Sequence, residues 1–330
     1  MSENSKIEWC DHTWSPWEGC QKVGPGCDHC YAEARNIRFG GGKTINWGPG
    51  APRRRTASAS WKLPLRWDRK ARELGTRLRI FPSLCDPFDN AVDPAWRRDF
   101  FELIADTPNL DWLLLTKRIA NAGDMIVDAL LQQPGLTAAP KWPWPNVWLG
   151  ATIVNQAEAD RDIPKLLATP ARVRFLSMEP LLGPVDLRFH IYSEPTGNFR
   201  THGGKHQLEL RRPADGGVHW VIAGGESGHG ARPMHPDWAR SLRDQCAAAS
   251  VPFLFKQWGE WREPVDGERY DTTMGRAQRV PAFIVSKTGT VHCFENDQTR
   301  DGGRTMLRVG KRAAGRLLDS RAHDEFPEVQ

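Results

Sequence analysis

The chain lacks any long apolar run. Its 330 residues are 39% hydrophobic and 26% charged. No stretch approaches the roughly 20 consecutive apolar residues that a membrane-spanning helix requires. Residues 1–8 also lack the basic start and the apolar stretch of a secretory signal peptide. We therefore expect a cytoplasmic protein without a membrane partner, built as one large α/β domain or two smaller ones.

A strong charge bias and a disulfide framework are also missing. The net charge is only +5, which permits a nucleic-acid partner without arguing for one. Seven cysteines are an odd number. Because the cytoplasm keeps thiols reduced, this count fits metal ligation plus scattered free thiols better than paired disulfides.

The sequence has only one Cys-x-x-Cys pair, formed by Cys27 and Cys30. A zinc ribbon requires a second pair some distance away. The later cysteines are Cys85, Cys246 and Cys293, and none of them has a cysteine neighbour with which to form a second pair. Cys20 precedes the pair, so three thiols lie within eleven residues. The triad is therefore a metal-ligand set without its fourth member.

Two metals remain open for this triad. A four-iron cluster held by three thiolates keeps one iron free to bind a substrate or cofactor. A structural zinc ion would need a fourth ligand, and the nearest candidates are Cys10, His12 and His29. Gly24 and Gly26 predict a tight turn between the first two cysteines, and a helical pattern begins at Tyr31.

A repeating pattern of strands and helices dominates the rest of the chain. Apolar runs that end in small or polar residues predict buried parallel strands. They cover residues 79–81, 110–115, 147–150, 173–176, 218–223 and 252–255, with an opening strand near 7–14. Amphipathic helices are predicted between them, at residues 93–105, 156–167 and 236–249. We therefore predict an α/β fold, a partial (β/α) TIM-like barrel of about six or seven parallel strands.

The remaining segments are less regular. Residues 40–61 are rich in Gly, Pro and Arg and predict a long loop, whose arginines 53–55 either contact phosphate or form a solvated basic turn. Residues 188–217 are typical of an insertion. A β-hairpin is predicted within 262–298 and a short basic helix at 310–319. We expect the barrel to span 1–261 and a C-terminal hairpin and helix extension to span 262–330.

The tryptophans are numerous, fifteen in all. Many fall in polar segments, where we expect them to pack loops onto the core. The alternative is a wall of flat rings around a nucleotide base.

Several motifs together resemble a known family. They are Trp14-Ser-Pro-Trp17-Glu-Gly-Cys20, Gly26-Cys27-Asp-His-Cys30-Tyr31-Ala, Leu115-Thr-Lys-Arg118, Met178-Glu-Pro-Leu-Leu-Gly183, Gly224-Gly-Glu-Ser-Gly228, Phe255-Lys-Gln-Trp-Gly259 and Val309-Gly-Lys. The chain resembles the phage-associated three-Cys-motif family of unknown function, which is related to radical S-adenosylmethionine (SAM) enzymes. The resemblance runs from about residue 7 to the C-terminus.

The resemblance implies a cofactor set and a chemistry. It implies a [4Fe-4S] cluster on Cys20, Cys27 and Cys30, with SAM on the open iron and a 5′-deoxyadenosyl radical that abstracts hydrogen from the substrate. In the wider superfamily an aromatic residue precedes the last cysteine, and His29 stands in that position. The first spacing is six residues here, where the usual motif has three.

Polar residues after the predicted strands are the candidates to bind SAM. Asp86 is placed to accept from its ammonium group, and Thr152 and Asn155 suit its ribose hydroxyls. Each residue type is also common as a cap or turn residue.

Three further residues are candidates for catalysis. Glu226 follows two glycines that let a ligand approach the backbone, and Lys256 follows an apolar strand. A lysine in that position needs a charged partner, which Glu226 or Glu179 would supply.

Three functions follow from these residues. The first is a radical SAM enzyme that acts on a nucleic acid or nucleotide, with a reductant for the cluster and a partner protein encoded nearby. The second is a zinc-stabilised nucleic-acid-binding module without catalysis. The third is a barrel hydrolase that uses Glu179, Glu226 and Lys256.

Overall fold

The computed structural model describes residues 2–131, 142–187, 217–268, 282–292 and 302–328. The strands are β1 His12–Thr13, β2 Trp17–Glu18, β3 Arg54–Arg55, β4 Leu78–Phe81, β5 Leu110–Thr116, β6 Val147–Thr152, β7 Val173–Met178, β8 Trp220–Gly224, β9 Phe253–Gln257, β10 Trp261–Arg262, β11 Ala282–Val285, β12 Val291–His292 and β13 Arg304–Arg308. The helices are α1 Tyr31–Phe39, α2 Ser58–Glu73, α3 Pro94–Ala105, α4 Ile119–Leu131, α5 Gln156–Ala168, α6 Pro236–Ala249 and α7 Lys311–Ala314.

The main sheet has seven strands in the order β1-β4-β5-β6-β7-β8-β9. Neighbours pair in parallel, for example Leu114 with Leu149 between β5 and β6. Because helices cover such a sheet, its strands are apolar runs, and all six residues of β6 are buried. The predicted fold class is confirmed: the chain is a mixed α/β protein with the topology of a half-barrel.

The chain forms two compact units. The first contains residues 1–152 and 165–175, and therefore β1 to β6 with the first half of β7. The second contains residues 153–164 and 176–330, with β8, β9 and a four-stranded sheet ordered β10-β13-β11-β12. The predicted domain boundary at residue 261 stays a prediction.

The core of the first unit is rich in aromatic rings. Trp14, Phe100 and Trp112 are fully buried, and their ring centroids lie 5.3–6.0 Å apart. Gly150 on β6 lies under the Phe175 ring, where a Cβ atom would come within 2.3 Å of a ring carbon. Trp9, Trp17 and Trp47 are buried as well, so these tryptophans pack the core as expected.

Local signals set the helix limits. Asp93 caps α3 by accepting a hydrogen bond of 2.9 Å from the Ala95 amide, and Pro94 occupies the first turn, as predicted.

The predicted hairpin is also present, since β11 and β12 pair antiparallel. No helix in the described ranges is both long and apolar enough to cross a membrane.

Two predictions about the irregular segments were wrong. Residues 40–61 are not a loop throughout, because β3 lies inside them and α2 begins at Ser58. The C-terminal helix covers only Lys311–Ala314, because Gly315 follows it at a φ of +73°. The predicted insertion at 188–217 lies outside the described residues except for Gly217.

Candidate functional site

The cysteine loop, residues 20–30, lies in the first unit between β2 and α1. Cys27 ends a short 3₁₀ helix, Pro25–Cys27, and Cys30 immediately precedes α1. The turn and the helix start were both predicted from the glycines and from Tyr31. All three motif cysteines are free thiols. They are therefore available as ligands.

The three thiols differ in their surroundings. Cys20 and Cys30 are partly buried against one small cluster of Ala32, Trp47 and Leu84. Cys27 is 8% exposed, and the neighbouring His29 is on the surface. Within the described part of the chain, no group of three or more His, Cys, Asp or Glu side chains is arranged to hold a metal ion. The donors fit an iron–sulfur cluster in kind, but this arrangement does not gather them, so the cluster site stays a prediction.

Arg118 joins the cysteine loop to the end of β5. Its Nη1 lies 3.4 Å from the Cys20 sulfur and 3.1 Å from Oδ2 of Asp86. Its Nη2 donates to the Gln21 carbonyl at 2.9 Å. The Arg118 side chain is only 8% exposed. The guanidinium therefore fixes the start of the loop and places a positive charge beside the Cys20 sulfur.

Asp86 holds this arginine in place. Its carboxylate accepts from the Thr116 hydroxyl at 2.7 Å, the Phe88 amide at 2.9 Å and the Lys117 amide at 3.0 Å. With Arg118 it has four donors from this chain. Because four donors bind this one carboxylate, it connects the segment that follows β4 to the end of β5. Its predicted contact with SAM stays a prediction, and the network gives Asp86 a structural role.

The charges around Cys20 act in opposite senses. Burial and the Asp86 carboxylate raise the pKa of the Cys20 thiol to about 11, against the opposing effect of Arg118. The thiol is therefore protonated at neutral pH. Metal binding at this residue has to displace that proton.

A second buried ion pair lies next to this network. Arg53 Nε is 2.6 Å from Oδ2 of Asp89, and both side chains are at most 2% exposed. Arg97 donates to the Asp89 carbonyl at 2.8 Å. Arg53 Nη2 is buried without a hydrogen-bond partner among the described residues. A water molecule or a ligand acceptor would satisfy this donor.

Thr152 and Asn155 differ in what they offer a ligand. Thr152 ends β6, is 3% exposed, and its Oγ1 has no hydrogen-bond partner in the described ranges. Asn155 belongs to the second unit, where its Oδ1 accepts from the Glu158 amide at 3.0 Å and so caps the start of α5. Thr152 therefore has an unmet hydroxyl for a ligand, whereas the Asn155 oxygen is already used.

In the second unit, Lys256 pairs with Glu179. Lys256 Nζ on β9 lies 3.2 Å from Oε2 of Glu179, which follows β7. The side chains are 18% and 12% exposed. Oε1 of Glu179 and Oε1 of Gln257 are both buried without a partner among the described residues. This strand end therefore offers one ammonium group and two unmet acceptors.

Glu226 has a different partner from the one considered for it. Arg232 donates to both of its oxygens, at 2.6 Å and 2.8 Å, and the Arg232 amide donates to Oε2 at 2.8 Å. Glu226 is 6% exposed. The Glu226 carboxylate therefore closes the turn after β8 rather than neutralising Lys256.

A family model described as a protein of unknown function, DUF5131, matches residues 4–327, nearly the whole chain. The chain belongs to this family. No curated protein and no solved structure matches the chain. Membership of DUF5131 therefore assigns no activity, and the function has to be argued from the residues.

Some site residues of this DUF5131 chain were not predicted from the sequence. Gln257 and Arg232 were missed. Neither a buried amide oxygen without a hydrogen-bond partner nor an ion pair between residues six positions apart has a recognisable sequence pattern. From the sequence, Arg53 was expected either to contact phosphate or to lie in a solvated basic turn with Arg54 and Arg55. The Arg53 side chain is instead buried. Its burial depends on Asp89, which is distant in the chain.

Proposed function

We propose that this chain is an iron–sulfur enzyme of the radical SAM type, with Cys20, Cys27 and Cys30 as the cluster ligands. The observation that carries the proposal is that three free thiols occupy eleven residues of a single loop, which Arg118 ties to the carboxyl end of β5. Carboxyl ends of parallel strands form the working face of (β/α) barrels. The sequence motifs that resemble the phage-associated three-Cys-motif family support the same reading.

The bound cofactors would supply a 5′-deoxyadenosyl radical for hydrogen abstraction, and the protein supplies binding and placement. Since the thiols are not gathered into a ligand set, loading requires the cysteine loop to rearrange. Arg118 keeps the Cys20 end of that loop in place through the Gln21 carbonyl. The movement is therefore expected in the segment that carries Cys27 and Cys30.

Each unit, taken by itself, has polar groups available to a ligand. The Thr152 hydroxyl is buried and unmet, which suits a ribose hydroxyl. In the second unit, Lys256 offers an ammonium group to an anionic group, and Oε1 of Glu179 offers an acceptor to an N–H donor. We propose a nucleic acid or nucleotide as substrate, a reductant for the cluster and a partner protein encoded nearby.

The test is anaerobic reconstitution with iron and sulfide. We expect brown protein with about four irons and four sulfides per chain. Cys27→Ala should abolish the colour. Cys85→Ala is the matched control, because Cys85 lies beside the loop, where Gly19 forms a β-bridge with it, but outside the motif. It should load like the unaltered protein.

Three results would count against the proposal. A full cluster in Cys27→Ala would remove that cysteine from the ligand set. Colourless protein with one tightly bound zinc per chain would favour the zinc-stabilised module instead. Hydrolase activity in metal-free protein, lost in Lys256→Met, would favour the hydrolase.

A further inference from the structure

Positive charge is concentrated in one part of the first unit. Residues 31–77 contain twelve lysines and arginines but three acidic residues, a net charge of +9, whereas the whole chain carries +5. The rest of the chain is therefore net acidic. This segment comprises α1, β3 and α2.

The outer face of α2 presents most of this charge. Lys62, Arg66 and Lys70 recur every four residues and are exposed, as are Arg69 and Arg72. At a rise of 1.5 Å per residue, the three recurring cations stand about 6 Å apart along one side of the helix. None of the five side chains forms a salt bridge or hydrogen bond with another described residue. We call these five residues the basic face of α2.

The opposite side of α2 is used for packing. Trp67 and Ala71 are 3% and 0% exposed. A helix that binds a membrane surface would instead present its apolar side to the lipid. The charge of the basic face is therefore available to a partner, while the apolar side is not.

Arginines of β3 extend this face. Arg54 and Arg55 are exposed, and the Arg55 guanidinium lies 4.8 Å from the centre of the Trp61 ring at the start of α2. Arg55 is also paired with Asp99 of α3, whose Oδ2 lies 2.6 Å from its Nη2. Glu18 contacts both Arg54 and Arg35 of α1, so one carboxylate is shared by two arginines. The positive surface therefore continues from α2 through β3 to α1.

An exposed aromatic ring lies at the α1 end of this surface. Phe39 is 72% exposed, and the Arg35 guanidinium lies 4.9 Å from its ring centre. An exposed ring beside cations is the arrangement that stacks unpaired bases, whereas a duplex hides the faces of its bases. This feature favours a single strand over a duplex.

We propose that the basic face of α2, extended by Arg54 and Arg55, binds the phosphate backbone of a single-stranded nucleic acid. The cations of α2 have no acidic partner among the described residues, so they complement the regular charge of a phosphate backbone and need no base contact. Arg54 and Arg55, which share their charge with Glu18 and Asp99, add less. The assignment is independent of the cysteine loop. It concerns a binding surface that holds whether or not the chain carries a cluster.

The test is binding of a fluorescein-labelled, mixed-sequence 20-nucleotide DNA strand, followed by fluorescence anisotropy from 50 to 300 mM salt. Each phosphate contact contributes about −0.7 to the slope of log K against log salt for single strands. A triple variant, Lys62→Gln, Arg66→Gln and Lys70→Gln, should therefore reduce the slope by about two and weaken binding at least tenfold at low salt. Gln preserves helix propensity, and circular dichroism checks that α2 remains folded.

A second triple variant serves as the control. Lys311→Gln, Arg312→Gln and Arg321→Gln remove the same charge from exposed positions in the second unit. Binding should change less than twofold. Equal losses in the two triples would show that net charge alone attracts DNA and would overturn the proposal. So would unchanged binding in the α2 triple, or a preference for anionic vesicles over the strand.

The experiment uses protein without added iron. Its result is therefore separate from the fate of the proposed function. If the protein binds no cluster but shows the predicted salt slope, this inference stands and the proposed iron–sulfur function does not.

Discussion

At the scale of single residues, the clearest feature is the network of buried charges at the carboxyl ends of β4 and β5. Asp86 and Arg118 are each at most 8% exposed as side chains, and each has several hydrogen-bond partners. Removing one partner of a buried pair leaves the other charge uncompensated, which is more destabilising than replacing both.

Replacing Asp86 tests this directly. Asp86→Ala removes the nearer carboxylate of the buried Arg118 and leaves only Asp89, whose Oδ1 lies 3.9 Å from Nη2. We expect a loss of about 3 kcal/mol in the free energy of unfolding. Urea unfolding followed by tryptophan fluorescence measures it. Asp266→Ala, at an exposed position with no ion pair among the described residues, is the control and should change stability by less than about 0.5 kcal/mol. Equal stability of the two variants would contradict the network's structural role.

The sequence predicted the residue types of the candidate site better than their contacts. Lys256 was expected to need a carboxylate, and it has Glu179 at 3.2 Å. Glu226 was the other candidate partner. It forms an ion pair with Arg232 instead, because the turn after β8 places that arginine next to the Glu226 carboxylate. Choosing between two carboxylates requires backbone geometry that residue spacing alone does not provide.

At the scale of elements, parallel strands were the most predictable feature. Five buried strands, β5 to β9, lie within about two residues of their predicted limits, because strands covered on both faces need continuous apolar runs. The α2 helix was missed. Its start follows a segment rich in Gly, Pro and Arg, and Pro64 lies inside it, so local signals favoured a loop.

Substitutions at two glycines separate the effect of close packing on stability from the effect of helix propensity. A Cβ atom on Gly225 would lie 2.0 Å from the Trp258 carbonyl oxygen, whereas one on Gly123 in α4 meets nothing within 4 Å. We expect Gly225→Ala to lower the thermal midpoint. Gly123→Ala should raise the free energy of unfolding by roughly 0.5–1 kcal/mol, since alanine is the better helix former. Differential scanning fluorimetry of both variants would show shifts of opposite sign, and shifts of the same sign would contradict this account.

The cap of α6 makes stability depend on pH. His235 is fully buried, its Nδ1 accepts from the Asp237 amide at 3.1 Å, and its Nε2 is 3.0 Å from the Gly302 carbonyl. Burial lowers the pKa of His235 below its ordinary value of 6.5, despite the opposing carbonyl. Protonation would also remove the Nδ1 acceptor that caps the helix.

The sign of the dependence follows from linkage. A lowered histidine pKa means that the unfolded chain takes up the proton first, so stability is present above pH 6.5 and is lost as the pH falls below it. His235→Asn retains a capping acceptor but does not titrate. Between pH 7 and pH 5 its urea midpoint should fall less than that of the unaltered protein. Parallel curves for the two proteins would refute the role of His235.

At the scale of the whole molecule, the sequence predicted the fold better than it predicted the function. The half-barrel topology was predictable because alternating strands and helices have few alternatives. The proposed cluster site is predicted only as a set of donors, since three cysteines in one loop do not fix how close their sulfurs come to one another. Family membership leaves the activity open, because DUF5131 is a family of unknown function.

The central claim is that Cys20, Cys27 and Cys30 hold a cluster that cleaves SAM. The most direct test is to reconstitute the protein anaerobically, add SAM and dithionite, and measure 5′-deoxyadenosine by chromatography. The account predicts its formation by the unaltered protein and by Cys85→Ala, and none by Cys27→Ala. Fully loaded, reduced protein that neither binds SAM nor releases 5′-deoxyadenosine would contradict it.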